Sequence, residues 1–592
     1  MLNLIFMKRN KYLYNLLVAT VLFTSSCTDF DDYNTAYKGM SLQSTQTLWN
    51  NITENKELSQ FSDVIKKAGY DKELQSTRFF TIWAPLNDTF PYDSLMNDVD
   101  SVSLVNKFLK SHIANYNFIL SESECYERVH ALNKKSFTLK GVGGAYTYDN
   151  NLIMNRNIPS VNGVMHLIEG TALYLPNIYE SLSDTLNLRS YEIDSIRNFI
   201  IRYEKEELDR DNSIEGAIDA NGNQTYIDSV MIISNTMLGR NYLNAALENE
   251  DSSYTLLLPT NAAYIDAYEK IKKLYNYPAT LNFWEVTKEI PDPSSSVSRN
   301  KDSQGKTFAE LGDSLAHRYI YVNSVFNNNN RYNRWVYDSS DPNMSDTIYT
   351  TQGRKLSNGS QFISHYIGIP EKMSNGYIRV LDTLALVPWE TYNPILSVNI
   401  HSSKYNPVVK AATAKSRTLY DTEVDTLITR YLDLEPGANS SATEAYFYVD
   451  GVRSTTYNVV VVFVASDSLT GAPKEYNYLR QYKFSADINF ADANGNVTKI
   501  TSPTLKFKNK ASTNFITEIP DSVLLYPVQL GQVTFPVSYA NVPNCYPLMK
   551  IKSTVSSWNK TEWKKYDNRL RIAGIYFVPV EYDMEKFLSL YK

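Results

Sequence analysis

Six histidines are the residues best suited to chemistry in this 592-residue chain: His112, His130, His166, His317, His365 and His401. A zinc site draws three or four ligands into one tetrahedron, usually from closely spaced His and Cys. No pair of these histidines has such a spacing, and the three cysteines, Cys27, Cys125 and Cys545, are scattered. They are therefore read as packed or hydrogen-bonded core histidines, with no metal and no cofactor. "DANGN" occurs at 219–223 and at 492–496 and offers oxygen ligands. An EF-type calcium loop wants Gly at its sixth position and Glu at its twelfth. Here Gly is fourth and Val230 and Pro503 are twelfth, so an Asn-Gly hairpin turn fits better. "EKEELDR" at 204–210 clusters carboxylates on what reads as a helix following "IRNFIIRY". A glycosidase needs two carboxylates facing each other across about 5–10 Å, whereas helical charge clusters ordinarily cover solvated faces. No nucleophile elbow, phosphate loop, H-E-x-x-H or dinucleotide motif is present in the sequence. The expectation is a protein that is not an enzyme.

The positive signal is aromatic. The chain has 45 Tyr against 24 Phe and 7 Trp, a balance that suits wet β-surfaces because Tyr buries a ring and keeps a polar tip. "YNRWVY" (332–337), "NFWEV" (282–286) and "SSWNKTEWKKY" (556–566) set rings among Asn and charged donors. Such faces suit sugar rings or protein anchors, and ordinary packing is the alternative. Trp335, Trp558 and Trp563 are the candidate contact residues. A net charge of −6 and no basic block argue against nucleic acid.

The elements around these residues begin with an export segment. Lys8, Arg9 and Lys11 precede an apolar run from Leu13 to Phe23, too short for a spanning helix. Thr24-Ser25-Ser26-Cys27 resembles the lipobox of a bacterial lipoprotein, which would make 1–26 a signal peptide and Cys27 the lipidated residue. The tether at 27–44 carries Asp29, Asp31 and Asp32. It resembles the acidic signal that sends Bacteroidota lipoproteins to the outer face of the outer membrane. Cys125 and Cys545 are read as free or buried thiols, their pairing left open.

The body of the chain repeats itself. "TIWAPLNDTF" (81–90) and "TLLLPTNAAY" (255–264) each read as a strand, a proline that ends its ladder, and a cap that starts a helix. A His-bearing helix end follows each, "FLKSHI" and "LGDSLAHRYIYVNSVF", and then an Asn-Gly turn with a strand, "NGVMHLIEG" and "SNGYIRVLDTLALVP". These ordered blocks resemble the fasciclin (FAS1) domain. The matching positions are Thr81, Pro85, Asn87, Phe90, His112, Asn162, Gly163, His166 and Pro176 in a first copy at 45–178. In a divergent second copy at 188–391 they are Pro259, Asn261, Asn375, Gly376 and Pro388. Arg379 stands where the second block usually has His, and "EIPDPSSSVSRNKDSQGK" reads as an exposed insertion.

The resemblance implies two α+β domains, each a mixed β-sheet wedge with helices. Residues 395–592 alternate in short β-runs broken by Gly, Pro and Asn, the pattern of an all-β sandwich. The function implied is a non-enzymatic surface lipoprotein for adhesion or binding of glycan or protein partners. It would stand beside an outer-membrane nutrient-uptake complex and be held to the membrane by lipid. The alternatives are a purely structural subunit of such a complex, or a glycan-cleaving C-terminal half.

Overall fold

Along β1 (Phe80–Pro85), Phe80, Ile82 and Ala84 face one way and Thr81 and Trp83 the other, and all are buried. A strand buried on both faces belongs at the centre of a sheet, and in this computed structural model it sits there. The structure describes residues 44–592 except 122–123, 184–190, 209, 211–213, 220–221, 229–230, 293–295, 338–345, 403–404, 422–425, 438–441, 466–480, 510–511, 518–523, 557–558 and 592. Two compact units divide the chain, one ending at Pro176 and the other starting at Asn177. Among the described residues no helix is long and apolar enough to cross a membrane.

In the first unit β1 lies between β2 (Ile113–Asn115), antiparallel, and β7 (Gly163–Glu169), parallel. The meander β3 (Cys125–His130), β4 (Ser136–Val142), β5 (Ala145–Tyr148) and β6 (Asn151–Ser160) completes the order β2-β1-β7-β6-β5-β4-β3. Helices α1 (Leu48–Glu54) and α2 (Ser59–Ala68) cover one face, where Leu48, Phe61 and Ile65 meet Phe80, Ile82 and Leu167. The other face packs Trp83 against Phe137, Leu139 and Tyr148, with the Trp83 and Tyr148 rings stacked at 4.1 Å. A short helix, α3 (Tyr92–Asn97), follows β1.

The second unit opens with α4 (Ile178–Ser183) and α5 (Asp194–Ile201). Its central strand β8 (Tyr254–Pro259) pairs antiparallel with β9 (Val325–Asn327) and parallel with β11 (Gly376–Leu381), and β10 (Tyr366–Met373) lies beyond β11. Helix α6 (Asn261–Lys272) follows β8 directly, and α7 (Phe308–Tyr321) starts in a reciprocal capping box between Thr307 and Glu310. The carboxylate cluster corrects one expectation. Glu204–Leu208 is a strand, not a helix, and pairs with Met231–Asn235. Helix α5 ends at Ile201, and side chains that alternate on an exposed hairpin need no apolar stripe.

The same unit continues into two packed sheets. One runs Ala412–Asp421, Thr426–Pro436, Leu570–Pro579, Thr456–Val464, Leu525–Thr534; the other Val408–Lys410, Glu444–Tyr448, Leu548–Ser553, Gln481–Asn489, Leu505–Phe507. Tyr457, Val459, Val461 and Phe463 belong to the large core with Phe484, Ala486 and Ile488 of the second sheet. Val460 and Val462 face the opposite way and are covered by Phe587 of helix α8 (Met584–Ser589). The continuous valine run follows from that double burial. The insertion is not wholly loop: Ser296–Arg299 forms a strand on Leu281–Trp284. Trp284 packs on Tyr446, Tyr448 and Tyr546, leaving it 2% exposed, so it belongs to a core and not to a contact surface.

Candidate functional site

Two asparagines show how the repeated sentences work. Asn162 Oδ1 accepts from the Leu48 N–H at the start of α1 (2.9 Å), while Nδ2 donates to the carbonyls of Leu74 (2.9 Å) and Ser76 (2.8 Å). Asn375 does the same in the second unit, accepting from Ile178 N–H (2.9 Å) and donating to Leu247 (2.8 Å) and Asn249 (3.0 Å). Each asparagine precedes a glycine at positive φ, Gly163 at 153° and Gly376 at 144°. A Cβ on either would overlap a backbone carbonyl oxygen, that of Phe80 or of Tyr254, so only glycine lets the strands close. Asn87 and Asn261 were expected to cap the helices that follow them. Instead Asn87 Oδ1 accepts from Gln60 N–H (3.0 Å) in α2, and Asn261 Oδ1 from Ser195 N–H (2.8 Å) in α5. Each caps a helix that precedes its own strand in sequence.

The remaining motif positions serve packing. Pro85 and Pro259 close β1 and β8, Phe90 and Thr81 are buried, and Pro388 opens a short 3₁₀ turn. Thr81 Oγ donates to Tyr116 O (2.7 Å) and accepts from Phe118 N–H (2.8 Å). Pro176 closes the first unit.

Both histidines of the first unit have both ring nitrogens engaged. His112 Nδ1 donates to Phe108 O (2.9 Å) and Nε2 accepts from Ala172 N–H (3.0 Å). His166 Nε2 donates to Phe118 O (2.9 Å), and Nδ1 accepts from Asn157 N–H (3.2 Å). Burial pushes each ring's pKa down to about 4, so both are neutral at pH 7. Strand register assigns their counterparts. Ile82 pairs with Ile113 as Leu256 pairs with Val325, which makes Ser324, not His317, the residue at the His112 position. Its Oγ donates to Ile320 O (2.9 Å), four residues back, as His112 does to Phe108. Likewise Trp83 pairs with His166 as Leu257 pairs with Arg379. Among the described residues no three His, Cys, Asp or Glu converge to hold a metal ion.

His317 stands elsewhere, in an aromatic cleft of about 510 Å³. One wall is α5, presenting Ser195, Asn198, Phe199 and, just past its end, Arg202. The opposite wall is α6, with Tyr264, Ile265 and Tyr268. Spacings of three, four and seven put each set on one helix face. From α7 the His317 ring slots between Phe199 (4.8 Å) and Tyr268 (4.7 Å), stacked on both. Tyr264 Oη donates to its Nδ1 (2.6 Å), which assigns the ring proton to Nε2, 3.5 Å from Asp313. Burial lowers the His317 pKa, and Asp313 opposes that shift. Asp313 also accepts from Tyr268 Oη and lies 3.5 Å from Lys272 Nζ. Arg202 is exposed, with its guanidinium 5.5 Å over the Phe199 ring and 4.9 Å over Tyr203.

With the strand pairing, the glycine contacts and the asparagine clamps in view, comparison with known proteins gives the first unit a family. Residues 56–173 match the Fasciclin domain. Among solved structures the chain is similar to a FAS1 domain pair from the insect cell adhesion molecule Fasciclin I, at 14% identity and TM-score 0.19, covering 57% of this chain and 99% of that one. It is also similar to a Paenibacillus xanthan lyase, at 13% identity and TM-score 0.19, covering 38% of this chain and 16% of that one. A third similarity is to a family 35 carbohydrate-binding module from Clostridium thermocellum, at 10% identity or below (9%) and TM-score 0.14, covering 31% of this chain and 98% of that one. No curated protein matches the chain.

Within the fasciclin frame the proposed contact tryptophans are not brought together. Trp558 lies outside the described residues, as do the side chains of Trp335 and Trp563 and the whole segment bearing Cys27. Cys125 and Cys545 are free thiols, the first half-buried and the second buried. The sequence reading passed over the cleft. Its signal was there in the two helical sets, Ser195, Asn198, Phe199, Arg202 and Tyr264, Ile265, Tyr268, but a ring stripe at helical spacing reads as core.

Proposed function

We propose that this chain acts by contact: a non-enzymatic cell-surface protein that binds glycan or protein partners. The observation that carries the reading is the open, ring-walled cleft of the second fasciclin copy, whose size falls in the range of ligand sites. The fasciclin match in the first copy supports it, since adhesion is what that resemblance implies. In the same reading Cys27 carries the lipid that holds the protein on the outer membrane, near an uptake complex. Two acyl signals or more would make that anchoring stable.

The test is a binding screen of the purified chain on a glycan array, run beside co-purification from detergent-solubilised membranes. Retained saccharide or a stoichiometric protein partner is the expected result. Failure of both removes the reading, and product release from a polysaccharide panel overturns its non-enzymatic part. Acyl mass on Cys27 is expected in the membrane-extracted protein, and a soluble form without it would remove the anchor.

A further inference from the structure

The two copies treat one cationic position differently. Asn87 caps α2 at Gln60 and Asn261 caps α5 at Ser195, so Lys67 and Arg202 are equivalent, seven residues beyond each cap. In the first copy Lys67 Nζ donates to the carbonyls of Leu95 (3.0 Å), Met96 (2.7 Å) and Val99 (2.8 Å), around the end of α3. There the cation is engaged by backbone and the groove is filled. In the second copy the twelve-residue α6 starts directly after β8. Arg202 stays on the rim, stacked on rings, and among the described residues no carboxylate is paired with it.

We propose that the cleft between α5 and α6 binds an acidic sugar, a pyranose ring bearing a carboxylate. The inference rests on the contact reading above and names the ligand class for that site. Phe199, Tyr264 and Tyr268 offer ring faces and edges to the apolar C–H face of a sugar, and Ser195 and Asn198 offer polar groups for its hydroxyl rim. The cleft's own carboxylate, Asp313, is already held by Tyr268, Lys272 and His317. The charge left to complement is that of Arg202. Its planar fork matches a carboxylate with two parallel donors, and the rings beneath hold it in plane. A peptide carboxylate would meet the same arginine, but an acidic side chain is acyclic and has no ring to lie against the platform.

The test uses calorimetric titration of the purified full-length chain with galacturonate, glucuronate and mannuronate oligomers. Each oligomer is also tested as its methyl ester, and poly-glutamate is included. At least one free acid is expected to bind roughly tenfold or more tightly than its ester, and Arg202→Gln is expected to abolish that preference. Arg202→Lys should recover only part of it, and Tyr268→Ala should weaken acid and ester alike. Equal affinity for acid and ester overturns the acidic class while leaving glycan contact standing. Acid binding unchanged in both Arg202→Gln and Tyr268→Ala places the site elsewhere and overturns the inference. Poly-glutamate bound through Arg202 with no uronate bound replaces the sugar by an acidic peptide. No binding to any oligomer, ester or peptide removes the inference, and the array and co-purification decide separately whether the contact reading survives.

Discussion

Replacing Asn162 by alanine removes three buried hydrogen bonds at once. The side chain is 3% exposed, and its partners are the Leu48 N–H and the Leu74 and Ser76 carbonyls. A hydrogen bond contributes about 1 kcal/mol net, and a buried partner left unsatisfied costs about 1–3 kcal/mol. Part of that cost is recovered where water reaches the Ser76 carbonyl, so the expected loss is about 3–5 kcal/mol. Asn375→Ala should cost the second copy a similar amount, since its clamp has the same three arms. The direction of the amide supplies a sharper test. In Asn162→Asp a carboxylate oxygen faces two carbonyls, so the aspartate variant should be at least as unstable as the alanine one. Hydrogen exchange read by mass spectrometry localises the effect. Asn162→Ala should strip protection from Phe80–Pro85 and Gly163–Glu169 and leave Tyr254–Pro259 unchanged; Asn375→Ala should do the reverse. A loss below about 1 kcal/mol by local exchange, or an aspartate variant as stable as the parent, would refute the clamp.

Other perturbations probe other parts of the fold. His112 and His166 titrate near 4 when folded and near 6.5 when unfolded, so the unfolded chain takes up their protons first as pH falls. Their stabilisation is therefore complete above about pH 6.5 and declines toward pH 4, by about 3 kcal/mol each. Urea midpoints should fall across that window, and a flat profile from pH 7 to 4.5 contradicts the assignment. Phe587→Ala opens the cover over Val460 and Val462 and should cost about 3–5 kcal/mol by denaturant unfolding. An effect under 1 kcal/mol would mean that α8 is not seated there. Maleimide should label Cys125 in the native protein well before the fully buried Cys545, whose thiol burial also pushes its pKa up. Equal labelling rates would contradict that burial.

Much of the frame was legible because its residues have few alternatives. A proline after an apolar run ends a strand, and Asn-Gly before another run marks a turn, so both halves of the pairing could be placed. Where the side chains reach was not legible. Asn87 has the chemistry of a cap, yet its oxygen serves α2, a helix already made, because a cap is defined by the N–H groups it meets and not by chain order. The same holds for His317, which is helical as expected but lies a turn too early for the His112 position. That position is set by pairing with β8, which local spacing cannot reveal. "EKEELDR" misled because alternating charge on an exposed hairpin and charge on a solvated helix look alike when neither face is apolar. The cleft was hidden for a related reason. Whether a ring stripe is covered depends on what the next helix presents, and only in the second copy is the groove left open.

The parallel pairing of β1 with β7, and of β8 with β11, has a consequence for how the chain is made. In each copy the two central neighbours leave the ribosome at opposite ends of the domain. The strand made first has no long partner until the strand made last emerges, although the meander between them can form locally as hairpins. Each copy must therefore close its centre in one late event, the slow non-local kind. A fragment that stops short of the second glycine turn keeps its hairpins and loses the surface they were meant to lie beside.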